Sequence, residues 1–332
     1  MRRKASISVL IAALLLPAAL WAHTSQKDDI NDIGSRRVAH HSLISLQKEV
    51  AIGKQYADQI DHSAKLIKDP VVNEYINRLA QNLARNSDAK IPISVKIIDD
   101  PTINAITLPG GFIYVNSGTI LAANEEAQLA GVLAHEIAHV ARRDWAGSMT
   151  KQTILSYATI PLMFTPMSIG TYYLLNGVLG TGIPMAFLKF SRDDEAEADF
   201  YGLEYMYKAG YDPDAFLSMM GKVVNEERES PGSVNSVFMD HPPTPDRIIK
   251  AEEEIQHVLP KRQESLVTTS EFNDVKARLE TLLTVHRSPA SPGQPTLERR
   301  PHPASTSTQP ASGGGTQGSD SGDQPPVLKR KN

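Results

Sequence analysis

Apolar positions recur at helical spacing early in the chain. Val71, Val72, Tyr75, Ile76, Leu79 and Leu83 line one stripe, and the stretch from roughly Ser35 to Ala89 reads as helical scaffold. The period then changes. Ile93, Val95 and Ile97 alternate with Ser94 and Lys96, and Phe112-Ile-Tyr-Val115 forms a second β-prone run after Pro109-Gly-Gly111, so the pattern predicts two short strands separated by a turn. Helical spacing returns with Asn124 read as a cap and Glu125 and Glu126 as an acidic first turn. That helix runs through Leu129, Leu133 and His139 toward Arg142 and Arg143, with charges that suit both of its ends. From Gln152 to Leu188 there is no Asp, Glu, Lys, Arg or His, and Pro161, Pro166, Pro184 and several glycines predict broken helices or loops there. Ser191-Arg-Asp-Asp-Glu195 is a capping-box start with Asp194 at the reaching position, and it opens an acidic helix that Gly210 closes. Asp212-Pro213 and Thr244-Pro245 start two more helices, the second toward Glu254, and Ser270–Leu283 is the last ordered piece.

These elements predict an α+β fold, mostly helical with a small β-sheet. Residues 23–285 would form the domain. From Ser288 onward the chain is dominated by Pro, Gly, Ser, Thr and Gln, which predicts a disordered tail over 286–332. Arg2, Arg3 and Lys4 precede an apolar run from Ile7 to Leu20, and small Ala22 ends it, so residues 1–22 read as a signal peptide. An uncleaved anchor is the alternative, against which the run is short for the roughly 20 residues that span a bilayer.

Charge and cysteine content narrow the chemistry. The 34 basic and 38 acidic residues give a net charge of −4 with no basic module, so no nucleic-acid partner is expected. The chain has no cysteine, which excludes disulfides and thiolate chemistry and leaves His, Asp and Glu as the main metal donors. An exported chain without cysteine is compatible with a bacterial periplasm.

His135-Glu-Ile-Ala-His139 falls inside a predicted helix. Residues four apart share a helix face about 5–6 Å from each other, a separation that lets two imidazoles converge on one zinc ion. Glu136 lies beside them, placed to take a proton from metal-activated water and pass it to a leaving amine. A bland alternative, a solvated face with two histidines, fits poorly with the apolar Ala130, Val132, Leu133, Ala134, Ile137 and Ala138 around them. A catalytic zinc needs a third protein ligand, and Glu195 is the best candidate. Asp199 shares its face one turn on and can accept a hydrogen bond from an imidazole. Taken alone, the acids of this helix would also serve as dipole-neutralising or solvated residues.

With these residues in place, the chain from about Ser45 to Val275 resembles the M48 family of zinc metallopeptidases, in particular its exported soluble bacterial branch. The resemblance is carried by Asn104-Ala-Ile-Thr-Leu-Pro-Gly-Gly111, His135-Glu-Ile-Ala-His139, Glu195-Ala-Glu-Ala-Asp199 and His241-Pro-Pro-Thr-Pro-Asp-Arg247. It implies a zincin-like endopeptidase domain with one zinc per chain, held by His135, His139 and Glu195. Glu136 would be the general base, Asp199 a partner of the ligands, and His241 with Arg247 the family's late pair. The family commonly has Gly where Ala138 stands; a small side chain is kept and no ligand is lost. His241 is expected to enter the cleft, where it would stabilise an oxyanion or occupy the open metal position; a surface turn before a capped helix is the alternative.

The turn at Gly110 and Gly111 would present Phe112–Val115 as an edge strand for an extended peptide, although a plain hairpin explains the glycines equally well. The uncharged segment 152–188 reads as a lid or a membrane-facing loop in preference to a transmembrane hairpin. The remaining histidines show no metal-ligand spacing. The resemblance implies a periplasmic protein that hydrolyses unfolded or misfolded envelope polypeptides such as outer-membrane proteins, with peripheral membrane contact through 152–188 if that segment faces the membrane. A periplasmic chaperone or scaffold with latent protease activity is the competing reading.

Overall fold

Two capped amphipathic helices open the part of the chain that the computed structural model describes, which is residues 29–163, 190–229, 241 and 244–287. Helix α1 (Leu46–Ser63) starts at Ser45, whose side chain accepts from the Lys48 amide. Helix α2 (Pro70–Arg85) starts at Asp69, which caps Val72 and is followed by a proline that has no amide hydrogen to leave unsatisfied. Helix α2 buries Val72, Tyr75, Ile76, Leu79 and Leu83, whereas Val71 lies just off the stripe and is half exposed. The expected scaffold is shorter than Ser35–Ala89. A short 3-10 turn (Ile30–Asp32) and irregular chain precede α1.

The sheet has three strands rather than two: β1 (Ser94–Ile98), β2 (Ala105–Leu108) and β3 (Phe112–Asn116), in the order β1-β3-β2. β1 runs parallel to β3 and β2 antiparallel to it, with Leu108 opposite Phe112 across the Pro109–Gly111 turn. β3 is therefore the central strand, and the expectation that it forms an open edge is corrected. The outer edge of β1 is covered. Ile67 donates to the Ile97 carbonyl and Asp99 to the Lys65 carbonyl, while the Asn77 side chain pairs with both the amide and the carbonyl of Val95. Among the described residues no strand pairs with the outer edge of β2.

Gly110 and Gly111 adopt φ of +81° and +86°, which residues with a side chain rarely do. Helix α1 presses on this turn so closely that a Cβ at Gly53 would stand 1.6 Å from the Pro109 carbonyl oxygen.

After a short helix α3 (Ser117–Ala122), helix α4 (Glu126–Arg142) forms the axis of the domain, with all of its residues buried. It packs against α2, β2, α6 (Arg192–Ala209) and α7 (Asp214–Glu229). Its N-cap is Glu125 without a side-chain bond, not Asn124. Glu126 stands in the first turn as expected, where it also accepts from the Tyr211 hydroxyl at 2.8 Å and from Thr269. Arg143 closes α4 at φ 57°, and the chain turns at once into α5 (Asp144–Met163). That helix continues through Gln152, where breaks were expected. The first breaker, Pro161, stands two residues from its end, so nothing between Lys151 and Ile160 interrupts it.

The capping box at Ser191 and the left-handed Gly210 bound α6 as the sequence predicts. Helices α8 (Pro245–His257, capped by Thr244) and α9 (Ser270–Arg287) complete the described part. The chain falls into two units, Met1–Glu280 and Thr281–Asn332, and only residues 281–287 of the second are described. The expected signal peptide, most of the 152–188 segment and the tail from Ser288 lie outside the described residues.

A side chain at position 53 has no room to appear without moving the turn backbone. Gly53→Ala is expected to lower the stability of the protein by about 1–3 kcal/mol, read from denaturant unfolding, despite the higher helix propensity of alanine.

Candidate metal centre

Helix α4 sets His135 and His139 one turn apart, with their Nε2 atoms 3.1 Å from each other. Each ring faces a carboxylate with its other nitrogen. His139 Nδ1 lies 2.6 Å from Asp144 Oδ2, and His135 Nδ1 lies 2.9 Å from Asp199 Oδ1. Helix α6 brings Glu195 in its first turn, with Oε1 3.5 Å from His139 Nε2 and Oε2 3.5 Å from His135 Nε2. This approach depends on Gly202, two turns along α6, where an added Cβ would sit 3.2 Å from the backbone of His135. His241 comes from the chain ahead of α8 and places Nδ1 2.6 Å from Glu195 Oε1. One donor atom from each of His135, His139, Glu195 and His241 thus lies within 4.8 Å of the others, and all four residues are buried. Phe190 stacks on His139 at 4.2 Å and Phe216 on His135 at 6.0 Å, which fixes the ring planes.

The electrostatics of this cluster suit a cation. If both Nδ1 atoms carry the protons, His139 toward Asp144 and His135 beside Asp199, both Nε2 lone pairs face each other at 3.1 Å, an arrangement that repels unless something positive lies between them. A single shared proton relieves part of this. Burial opposes the charged form of His135, but Asp199 and Glu195 hold its pKa above the ordinary value, while burial and the neighbouring His135 push His139 down against Asp144. Burial would raise the Glu195 carboxyl, yet His241, His135 and His139 keep it well below the carboxylate range, so it stays an anionic donor. Three imidazoles and one carboxylate converging in a buried space fit a divalent metal ion of the kind that nitrogen and oxygen donors select.

The flanking groups are equally specific. Glu136 Oε2 accepts from the Thr107 hydroxyl at 2.6 Å, which ties it to β2. Arg247 grips Asp199 through two bonds of 2.6 and 2.7 Å, lies 3.0 Å from Glu195 Oε2 and donates to the His241 carbonyl at 3.0 Å. Arg142 donates to Asp144 Oδ2, the Asp194 carbonyl and Glu197 Oε2, each at 2.7 Å. An apolar recess beside Glu136 is lined by Ala105 of β2, Val132 of α4, and Phe216, Met219 and Met220 of α7.

The structure brings together each residue that the sequence singled out: His135, Glu136, His139, Glu195, Asp199 and His241. Other functional neighbours were not found from the sequence. Asp144 follows His139 only through the left-handed turn at Arg143, and Thr107 belongs to the strand that the pattern missed. A further histidine that spacing along the chain does not mark lies beside the centre: His40 Nε2 stands 2.8 Å from Asp144 Oδ1 and 3.3 Å from Asp194 Oδ1. Asp144 and Asp194 push its pKa up to about 9 against the effect of burial.

Residues 70–255 match the family model described as Peptidase family M48. The chain is similar to the beta-barrel assembly-enhancing protease of Escherichia coli K12, 28% identical over 284 residues, or 83% of this chain and 56% of that protein. It is 31% identical to the protein of the same name from Yersinia pestis over 239 residues, 67% of this chain and 48% of that one. It is also 30% identical to the mitochondrial metalloendopeptidase OMA1 of Schizosaccharomyces pombe over 217 residues, 64% of this chain and 60% of that one. The chain spans about half the length of the beta-barrel assembly-enhancing proteases it matches.

Removing the guanidinium at 247 would strand the buried Asp199 without its cation. Arg247→Ala is expected to cost about 3–5 kcal/mol of unfolding free energy. Arg247→Lys should recover only part of it in the same melts, because a single ammonium cannot reproduce the paired contact.

Proposed function

The chain belongs to peptidase family M48, and on that premise we propose that it is a zinc-dependent endopeptidase that hydrolyses unfolded or misfolded envelope polypeptides. The observation that carries this reading is the buried convergence of four donor atoms within 4.8 Å, with Glu136 on the same helix and held by Thr107. His135, His139 and Glu195 would hold the metal, one per chain. Zinc suits this donor set, although nickel and cobalt accept the same ligands. A divalent metal there supplies a Lewis acid that polarises a scissile carbonyl and makes water a usable nucleophile at neutral pH.

The remaining steps belong to the protein. Asp144 accepts from His139 Nδ1, and the Asp199 carboxylate 2.9 Å from His135 Nδ1 favours a proton there, so both Nε2 lone pairs are turned inward. Glu136 takes the proton from the attacking water and later delivers it to the departing amine, and the Thr107 hydroxyl fixes the carboxylate for both transfers. The open edge of β2 takes over the role expected of Phe112–Val115: an extended chain would add to the sheet there through backbone bonds. The recess formed with Phe216, Met219 and Met220 would take one apolar side chain. Recognition through backbone suits substrates that are unfolded rather than defined by sequence. His241 reaches the donor cluster and pairs with Glu195, which supports a role as an occupant of the fourth position that substrate must displace.

The wider assignment follows from similarity. Relatives named for beta-barrel assembly support envelope quality control, with outer-membrane proteins as the substrate class and the periplasm as the compartment. A signal peptide over 1–22, a domain over 23–285 and a tail over 286–332 remain part of this reading, as does peripheral membrane contact through 152–188. No described helix is long and apolar enough to cross a membrane.

Degradation of an unfolded protein by the purified chain should require added or retained zinc. Activity should fall by at least about a hundredfold in Glu136→Gln while metal analysis still finds zinc bound. Failure of both proteins to cleave at full zinc occupancy would favour the scaffold reading instead. In His241→Ala, zinc should remain on its three other donors and turnover should rise. A fall in turnover would assign His241 to oxyanion stabilisation, and unchanged turnover with unchanged metal affinity would remove it from the mechanism.

A further inference from the structure

The irregular segment ahead of α1 reaches the back of the metal centre. The His40 amide donates to the carbonyl of Arg142, the last residue of α4, at 2.8 Å. Its side chain lies against Gly147 of α5, where an added Cβ would stand 2.9 Å from His40 Cβ. From there Nε2 meets one oxygen of each of two carboxylates, Asp144 Oδ1 at 2.8 Å and Asp194 Oδ1 at 3.3 Å.

The second oxygen of each carboxylate has a task at the centre. Asp144 Oδ2 accepts from His139 Nδ1 at 2.6 Å. Asp194 Oδ2 accepts from the Ser191 amide and hydroxyl at 3.1 and 2.6 Å, which closes the capping box in the turn that carries Glu195. One imidazole thus touches the acid that orients His139 and the acid that fixes the start of the Glu195 helix. These three groups have the composition of a metal site, but Arg142 Nη2 stands 3.1 Å from His40 Nε2, and Arg142 also binds Asp144. A guanidinium in that position competes with any second cation. The two carboxylates instead favour an N–H on His40 over a lone pair directed at them.

We propose that His40 is a positioning residue of the metal centre, clamping Asp144 and Asp194 so that His139 and Glu195 keep the geometry needed to hold the metal. This rests on the reading that the centre binds a divalent ion. Without the clamp, Asp144 Oδ1 loses its 2.8 Å ion-pair contact and the carboxylate is held through Oδ2 alone, by His139 Nδ1 and Arg142 Nη1, so its plane is less firmly set. The ring of His139 is then oriented by a looser partner, and its Nε2 lone pair is less firmly kept inward. His40 itself precedes the span 70–255 that matches the family model, whereas Asp144 and Asp194 lie within it.

The test is zinc affinity of the whole chain, measured by competition with a chromophoric chelator, alongside melting of the metal-free and zinc-loaded forms. His40→Ala should weaken zinc binding by about tenfold, as loss of an outer partner of a metal ligand commonly does. His40→Gln places an N–H near the same point and should recover most of that loss. Gly147→Ala provides an independent route, and carries the test should His40→Ala not fold. It displaces His40 from its root, so the metal-free melting temperature should fall modestly, and zinc affinity and the stabilisation by zinc should fall beyond that.

Wild-type affinity in both His40→Ala and Gly147→Ala would overturn the proposal, as would His40→Gln binding as weakly as His40→Ala. Two zinc ions per wild-type chain, one of them lost in His40→Ala, would replace the clamp with a second metal site. His139→Ala separates this failure from that of the underlying reading. If it binds zinc as well as the wild type, the ligand assignment itself is wrong and the clamp falls with it.

Discussion

A helix buried along its whole length cannot carry ionisable side chains unless each finds a partner, and α4 carries Glu126, His135, Glu136, His139 and Arg142. Much of the fold is organised around that requirement. Tyr211 and Thr269 satisfy Glu126, Asp199 faces His135, Thr107 holds Glu136, Asp144 faces His139, and Asp144 and Glu197 receive Arg142. These partners come from five places in the chain: β2, the start of α5, α6, the second residue after α6, and the chain ahead of α9. Packing around α4 and assembly of the candidate site are therefore one process, and a disturbance of either is felt by the other.

The sequence made the centre legible where spacing along one helix determines geometry. The pairs His135 with His139 and Glu195 with Asp199 sit one turn apart on α4 and α6, and in each pair the structure turns both side chains into the same cluster. The helix starts at Ser191 and Thr244 were equally readable, because they cap by local bonds that depend on three or four consecutive residues, whereas Ser45 and Asp69 cap in the same way inside a stretch read only as helical scaffold, and α4 begins after Glu125 rather than Asn124. Where a group's role is set by tertiary approach, the sequence was silent. His40 and Asp144 meet across the fold, and neither has a neighbour along the chain that announces the contact.

The strand that was missed shows a second limit. Ala105–Leu108 has four residues and one β-branched apolar side chain, Ile106, so its alternation is too short to stand out beside Phe112–Val115. Its strand character comes from pairing with β3, and its importance comes from lying next to α4. The Pro109–Gly111 turn was visible, but which arm would lie at the edge depends on β1 joining the far side of β3 in parallel, a crossover that hydrophobic pattern does not encode. The apolar strand thus became central and the modest one was left at the margin beside Glu136.

That margin has a bearing on self-association. A sheet that can be joined on both sides can act as a link in a growing stack, whereas a sheet with one covered side is a terminus. Here Lys65–Ile67 and the Asn77 amide occupy the β1 side, and only β2 remains open among the described residues. Two copies meeting through that side would exhaust the valence of both, and no third could extend the chain. A chain built this way can offer backbone to an extended strand without becoming a template for a fibre.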